Sequence, residues 1–182
     1  FRLSTGAVQA GKMRLKLLLD ASATTPRAEF DGAVTLAGAV GFEGQAAANG
    51  ALAVAGHEPT PWRLTGALKA DAAGATLDPL DLKLGGEERP TGLSGRASFE
   101  AGAAAMTLAA RQLDLDRALG VDGAAATPRQ ALEAAAALGS AFGAALAGPA
   151  GRFAAIPVSF QLTTGVVTLG GETLPDATLA LD

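Results

Sequence analysis

One pattern runs through most of this chain: apolar and polar residues alternate strictly, in short segments divided by glycine, proline and small polar residues. From Lys12 to Leu19, the residues Met13, Leu15, Leu17 and Leu19 alternate with Lys12, Arg14 and Lys16. Successive side chains of an extended strand point to opposite faces, so this segment reads as a strand with one apolar and one wetted face. The same phase sets Phe30, Val34 and Leu36 against Glu29, Asp31 and Thr35, and Trp62, Leu64 and Leu68 against Arg63, Thr65 and Lys69. It returns with Leu93, Ala97 and Phe99 against Ser94, Arg96, Ser98 and Glu100, in the segment around Leu108, and with Val158, Phe160 and Leu162 against Ser159, Gln161 and Thr163. A sheet of such strands must cover its apolar face, close around it, or put it to use.

The turn residues divide the chain into strands. A first strand over about 1–8 turns near Gly11 into 12–21, and the stretch Ser22 to Pro26 makes the next turn. Strands follow at about 28–37, 39–46 and 50–56, with Asn49-Gly50 suited to a tight hairpin. After a break at His57 to Pro61, further strands are expected at 62–70, 75–78, 80–84, 93–100 and 104–113. Roughly ten antiparallel strands in meander order, at about 4.8 Å each, give a sheet some 45 to 50 Å wide. The fold class is therefore mainly β: an extended, curved antiparallel sheet, groove-like, with one helical insert.

That insert is expected at about 127–147. Asp116 to Leu119 makes one helical turn and 121–126 a small-residue linker. Thr127-Pro128 then supplies a cap with proline in the first turn, and Gly148-Pro149 a stop. Ala135, Leu138, Phe142 and Leu146 form its stripe. With Glu133 near its start, the uncharged stretch falls short of the roughly 20 residues a bilayer needs, so a helix lying on the sheet is expected. The organisation is thus 1–120 as sheet, 121–155 as linker and Ala-rich helix, and 156–182 as further strands of the same sheet. The chain opens on Phe1 and ends within an alternating segment, as expected of an excerpt from a longer sheet.

Composition removes several functions. A net charge of −4, with 4% aromatics and no Tyr, offers neither a basic stripe for phosphates nor a platform for stacking bases, so nucleic acid is not expected as a partner. With no Cys and a single His, zinc sites of the usual nitrogen and sulfur type cannot be assembled, and no metal or cofactor is expected. Gly6 to Lys12 matches the first seven positions of a phosphate-binding loop, but Met13 stands where a hydroxyl is needed and a strand follows, so it reads as a hairpin turn. The acidic residues Asp31, Asp71, Asp81, Asp114 and Asp116 are spread singly on outward positions. Asp114 and Asp116 share a strand face, where ion pairing with Arg111 and Arg117 is the ordinary reading. No active site is built, and catalysis is not expected.

Three stretches carry a family resemblance. Residues 103–119, AAAMTLAARQLDLDRAL, resemble the segment of AsmA family proteins in which a strand ends in a Leu-Asp-Leu-Asp turn and enters a short helix. Residues 156–182, IPVSFQLTTGVVTLGGETLPDATLALD, are similar to the strand, hairpin and return strand that follow an Ala-rich insert in that family. ATLDPLDLKLGG at 75–86, followed by LSGRASFE at 93–100, resembles its repeating hairpin-and-return unit. The resemblance covers roughly residues 62–182. It implies a periplasmic segment of a protein anchored in the inner membrane of Gram-negative bacteria, whose long curved sheet forms a hydrophobic groove thought to carry phospholipid between the inner and outer membranes.

Pattern alone leaves two folds open, a trough for an acyl chain and a closed sandwich or small barrel. In the trough, the lining is Met13, Leu15, Leu17, Leu19, Phe30, Val34, Leu36, Trp62, Leu64, Leu68, Phe99, Leu108, Val158, Phe160 and Leu162, with Gly32, Gly66 and Gly95 leaving room. The occupant is a phospholipid or another acyl-chain lipid. The alternative is a non-catalytic scaffold of the cell envelope with a closed core.

Overall fold

The computed structural model describes residues 1–20, 26–52, 59–88, 90–118 and 157–181. The turn at 22–25, the loop around His57, the linker at 121–126 and the helix expected at 127–147, with its Thr127 cap and its stripe, lie outside these residues. Within them the chain forms ten strands, β1 (Arg2–Gln9), β2 (Lys12–Leu19), β3 (Arg27–Thr35), β4 (Gly41–Leu52), β5 (Thr60–Asp71), β6 (Gly74–Leu84), β7 (Thr91–Glu100), β8 (Ala103–Asp114), β9 (Val158–Leu169) and β10 (Glu172–Leu181). A single helical turn, α1 (Leu115–Ala118), follows β8. All ten strands join one sheet in chain order. Because β1 and β10 do not pair, the sheet is open, and the closed sandwich or barrel is set aside.

Each pair is antiparallel except β8 with β9, which run parallel. This corrects the uniform meander. A parallel neighbour cannot be reached through a hairpin and needs a crossover of a dozen or more residues, a length that 119–157 supplies. Three hairpins close through two residues with positive φ, at Ala10-Gly11, Ala101-Gly102 and Gly170-Gly171, the geometry whose twist matches that of the flanking strands. The first of these is the turn that mimics a phosphate-binding loop. Asp71 closes the β5–β6 turn by accepting the N–H groups of Ala73 at 2.8 Å and Gly74 at 3.2 Å.

Register across the sheet explains where the expected strand limits fail. Asn49-Gly50 is no turn: β4 runs straight through it, pairing Asn49 with Arg63 and Gly50 with Trp62. Strands 75–78 and 80–84 are one strand, β6, in which Asp78-Pro79 oppose the single residue Ala67 of β5 and the single residue Arg96 of β7. Such a bulge inserts one residue and shifts the alternation by one, which brings Ala75 and Leu77 onto the face of Leu80, Leu82 and Leu84. Proline, with no N–H to give a ladder, is tolerated at such a position. Gly6-Ala7 opposite Arg14 do the same in β1, aligning Leu3 and Thr5 with Val8.

Directly opposed residues share a face, so the register can be followed from strand to strand. One row runs Leu3, Leu17, Phe30, Ala46, Gly66, Leu80, Gly95, Leu108, Leu162. Leu80, Leu82, Leu93 and Leu108 are the buried centre of this face, with Trp62, Leu64, Leu77, Met106, Phe160 and Leu162 packed against them. Glycine on it does not leave room. A Cβ on Gly95 would run into the Thr107 carbonyl oxygen, and one on Gly66 would lie 2.6 Å from the Pro79 oxygen and 2.8 Å from the Leu77 side chain. These glycines permit a close approach of backbone to backbone.

The two edges differ. β1 is exposed along its whole length and carries neither proline nor an inward charge. β10 contains Pro175, and its Asp176 takes a φ of 49°.

Gly95→Ala is expected to lower unfolding stability by about 1–3 kcal/mol, because the added methyl must displace the β8 backbone. Gly92→Ala on the same strand meets nothing within 4 Å and serves as the reference. Equal denaturation midpoints for the two variants would contradict the close approach.

Candidate functional site: the apolar face and its rims

Fourteen of the fifteen residues expected to line a trough fall on one face of the sheet. Met13, Leu15, Leu17 and Leu19 oppose Val34, Gly32, Phe30 and Ala28. Trp62, Leu64 and Leu68 oppose Gly50, Ala48 and Gly44 on β4 and Leu84, Leu82 and Leu77 on β6. Phe99 opposes Ala104, which pairs with Val158, while Phe160 and Leu162 pair with Met106 and Leu108. The exception is Leu36. It lies one residue past β3, 45% exposed, with its N–H donating to the Gly11 carbonyl at 2.8 Å.

Burial is graded over this face. Leu108 is 2% exposed at the centre, and Met13, Leu15, Leu17, Leu19, Phe30, Trp62, Leu64 and Phe160 are half-buried. Toward the margins, Leu3 is 55%, Val8 58%, Phe99 39% and Val158 45% exposed. From β1 to β7 the face carries no charged side chain, and on β8 the register places one, Asp114, at its end opposite Thr168.

The opposite face carries the charges. Lys16 sits opposite Asp31 in the register and meets Glu29 at 2.6 Å, Arg14 reaches Asp31 at 3.2 Å, and Lys69 reaches the directly opposed Glu43 at 3.3 Å. The hydrogen bond from Lys16 to Glu29, and then the charge of Glu29, raise the Lys16 pKa above its ordinary value. Its contribution to folding is therefore present through neutral pH and is lost only as pH rises through that raised value.

Two carboxylates near the parallel pair have roles that the alternation did not indicate. Asp114 and Asp116 do not share a strand face, and neither is held by Arg111 or Arg117 through an ion pair among the described residues. Asp114 ends β8 and caps α1, its Oδ1 accepting the Arg117 N–H at 3.0 Å. Asp116 is not outward: it is 4% exposed, and its two oxygens accept the N–H groups of Gly170 and Gly171, each at 2.7 Å. It thus ties α1 to the β9–β10 turn. Leu113 and Val167, paired across β8 and β9, are buried beside this junction, where α1 packs on β9.

Two clefts open along the rim of the sheet that carries α1. β7 and β8 are paired only from Ser94 with Ala109 to Glu100 with Ala103, and beyond Ser94 they part. A cleft of about 540 Å³ lies at this split, lined by Lys83, Gly92, Ser94, Arg111 and Arg117 among others. A second, of about 840 Å³, is lined by Arg27, Asn49, Trp62, Arg63, Lys83 and Glu87 among others. Neither was indicated by the alternation, because both depend on which residues the register brings side by side. Among the described residues, no group of three or more His, Cys, Asp and Glu side chains converges to hold a metal ion, and no helix is long and apolar enough to cross a membrane.

Compared with known proteins, the chain matches no family model, no curated protein and no solved structure.

Asp116→Asn keeps the size of the side chain but turns an N–H₂ group toward one of the two glycine N–H donors. The expected cost is about 1–3 kcal/mol in chemical denaturation, with hydrogen exchange accelerating at Gly170 and Gly171 before the β6–β7 core. Unchanged protection at both glycines would show that the carboxylate does not hold the turn.

Proposed function

We propose that the chain is a lipid-binding segment, with a trough for acyl chains along the apolar face of its sheet and no catalytic turnover. The observation that carries this reading is the segregation of the two faces: an apolar face whose one charged residue is Asp114 at the end of β8, continued through neighbouring strands by two bulges, in a single sheet whose edges do not meet. Each CH₂ group kept from water is worth about 0.8 kcal/mol, so a face of this length can compete with a bilayer for an acyl chain. The graded exposure of the face supports it, since the marginal leucine, valine and phenylalanine side chains are left wet by the described residues.

In this reading the segment is part of an AsmA-like protein, anchored in the inner membrane and working in the periplasm, and its ligand is a phospholipid in transit between the inner and outer membranes. The support for that assignment is the resemblance of residues 62–182, joined to an open sheet and to the short helix that follows Leu-Asp-Leu-Asp. The scaffold reading keeps one specific observation in its favour, the exposed β1 edge, which has no proline and onto which a partner strand could be added.

Charge placed on the trough face should exclude lipid, whereas the same charge one residue further on should not. Leu64→Arg puts a guanidinium beside Leu82, and Thr65→Arg puts it on the polar face opposite Ala47. Native mass spectrometry and lipid extraction, on protein with native strand signal and cooperative melting, should find lipid on wild type and Thr65→Arg and little on Leu64→Arg. If folded wild type neither retains nor takes up lipid, the scaffold reading replaces the trough.

A further inference from the structure

Every strand pair but one joins antiparallel neighbours, whose alignment a turn can set. The exception is β8 with β9. Their connection spans 115–157, and because closure entropy grows only with the logarithm of loop length, two residues of slack more or less cost it almost nothing. The side chains do not fix the alignment either. On the polar face Ala105, Thr107 and Ala109 meet Ser159, Gln161 and Thr163, and on the apolar face Ala104, Met106 and Leu108 meet Val158, Phe160 and Leu162. A shift of two residues keeps the alternation in phase. Leu108 would then face Phe160 or Thr164, and Met106 would face Val158 or Leu162, with no charge brought inward.

What distinguishes the observed register is Asp116. Among the described residues, its carboxylate makes the only side-chain hydrogen bonds from β8 and α1 to the β9–β10 hairpin, accepting the N–H groups of Gly170 and Gly171 at 2.7 Å each. Adjacent N–H groups of an extended strand point to opposite sides, so one carboxylate can take two in succession only where the backbone leaves that conformation. Gly170 and Gly171 do so, with φ of 62° and 77°. The extended run from Val158 to Leu169 offers no second pair of this kind. Asp116 cannot follow a slipped strand, because its place is set from β8, where Asp114 caps α1 through the Arg117 N–H at 3.0 Å. A slip of two residues moves the turn by about 7 Å. Both bonds are then lost, and a carboxylate only 4% exposed is left without a partner.

We propose that Asp116 is the register lock of the parallel pair. By clasping the Gly170-Gly171 turn it selects the observed pairing of β8 with β9 over the pairings slipped by two residues, and so sets where β9 and β10 continue the apolar face. It is a positioning residue, acting on Phe160 and Leu162 through the turn. The assignment is independent of what the apolar face binds.

The chain has no Cys, so two engineered thiols report without background. Thr107→Cys is combined with Gln161→Cys, its opposed neighbour, or with Ser159→Cys or Thr163→Cys, each offset by two residues, and all four positions are exposed. Cα atoms of an offset pair lie about 8 Å apart, past the ~7 Å that a disulfide spans without backbone movement, so the opposed pair should oxidise about tenfold faster than either offset pair. In Asp116→Ala, on protein with native strand signal and cooperative melting, that lead should fall to about threefold or less as slipped registers are populated. Val167→Ala removes a buried side chain from the same junction without touching the clasp, and should lower the melting temperature while keeping the lead. Equal rates with Asp116 in place, a full lead in Asp116→Ala, or a lead lost equally in Val167→Ala overturns the lock. Where Asp116→Ala does not melt cooperatively, Asp116→Asn is read by the same measure, and an unchanged lead there overturns it as well.

Discussion

A sheet one layer thick depends on keeping its alternation in phase. Every residue inserted into a strand reverses the faces of all that follow it, so one unmatched insertion in β6 would turn Leu80, Leu82 and Leu84 toward water and Asp81 and Lys83 inward. The bulge at Asp78-Pro79 absorbs the extra residue against both neighbours at once. The buried cluster of Leu80, Leu82, Leu93 and Leu108 lies immediately beyond it. Core and bulge are one feature seen twice: remove the correction and the cluster cannot assemble.

The strand faces were legible in the sequence because period-two alternation is a local signal, and fourteen positions of the apolar face follow from it without knowledge of any partner strand. Leu36 was misplaced because alternation does not say where a strand stops. β3 ends at Thr35, and the chain then leaves the sheet through a loop with Gly38 at a φ of 83°. Asn49-Gly50 has the composition of a turn and the structure of a strand, since pairing on both sides, with Arg27 and Arg63, overrides local preference. Pro79 divided a strand on paper that a bulge keeps whole.

What could not be read was everything set by register. The opposition of Arg63 and Lys83, the parting of β7 from β8 and the span from Asp116 to Gly170 all join residues by their position in the sheet. Even the glycines changed meaning. On the sequence alone they are gaps in an apolar face, whereas the neighbouring backbones already occupy that space. Asp116 had a signal of a kind, the second acid of Leu-Asp-Leu-Asp, but its partners lie more than fifty residues away.

The unequal edges give the sheet a direction. β1 presents donors and acceptors interrupted only at the Gly6-Ala7 bulge, while β10 carries a proline without an N–H and an aspartate turned out of the extended conformation. Strand-by-strand growth is therefore favoured from β1, where a newcomer that kept the phase would prolong the apolar face past Leu3 and Val8. At β10 the same growth meets an interrupted template. The two ends of the sheet are thus unlike, and segments of this kind laid in series would share a common polarity.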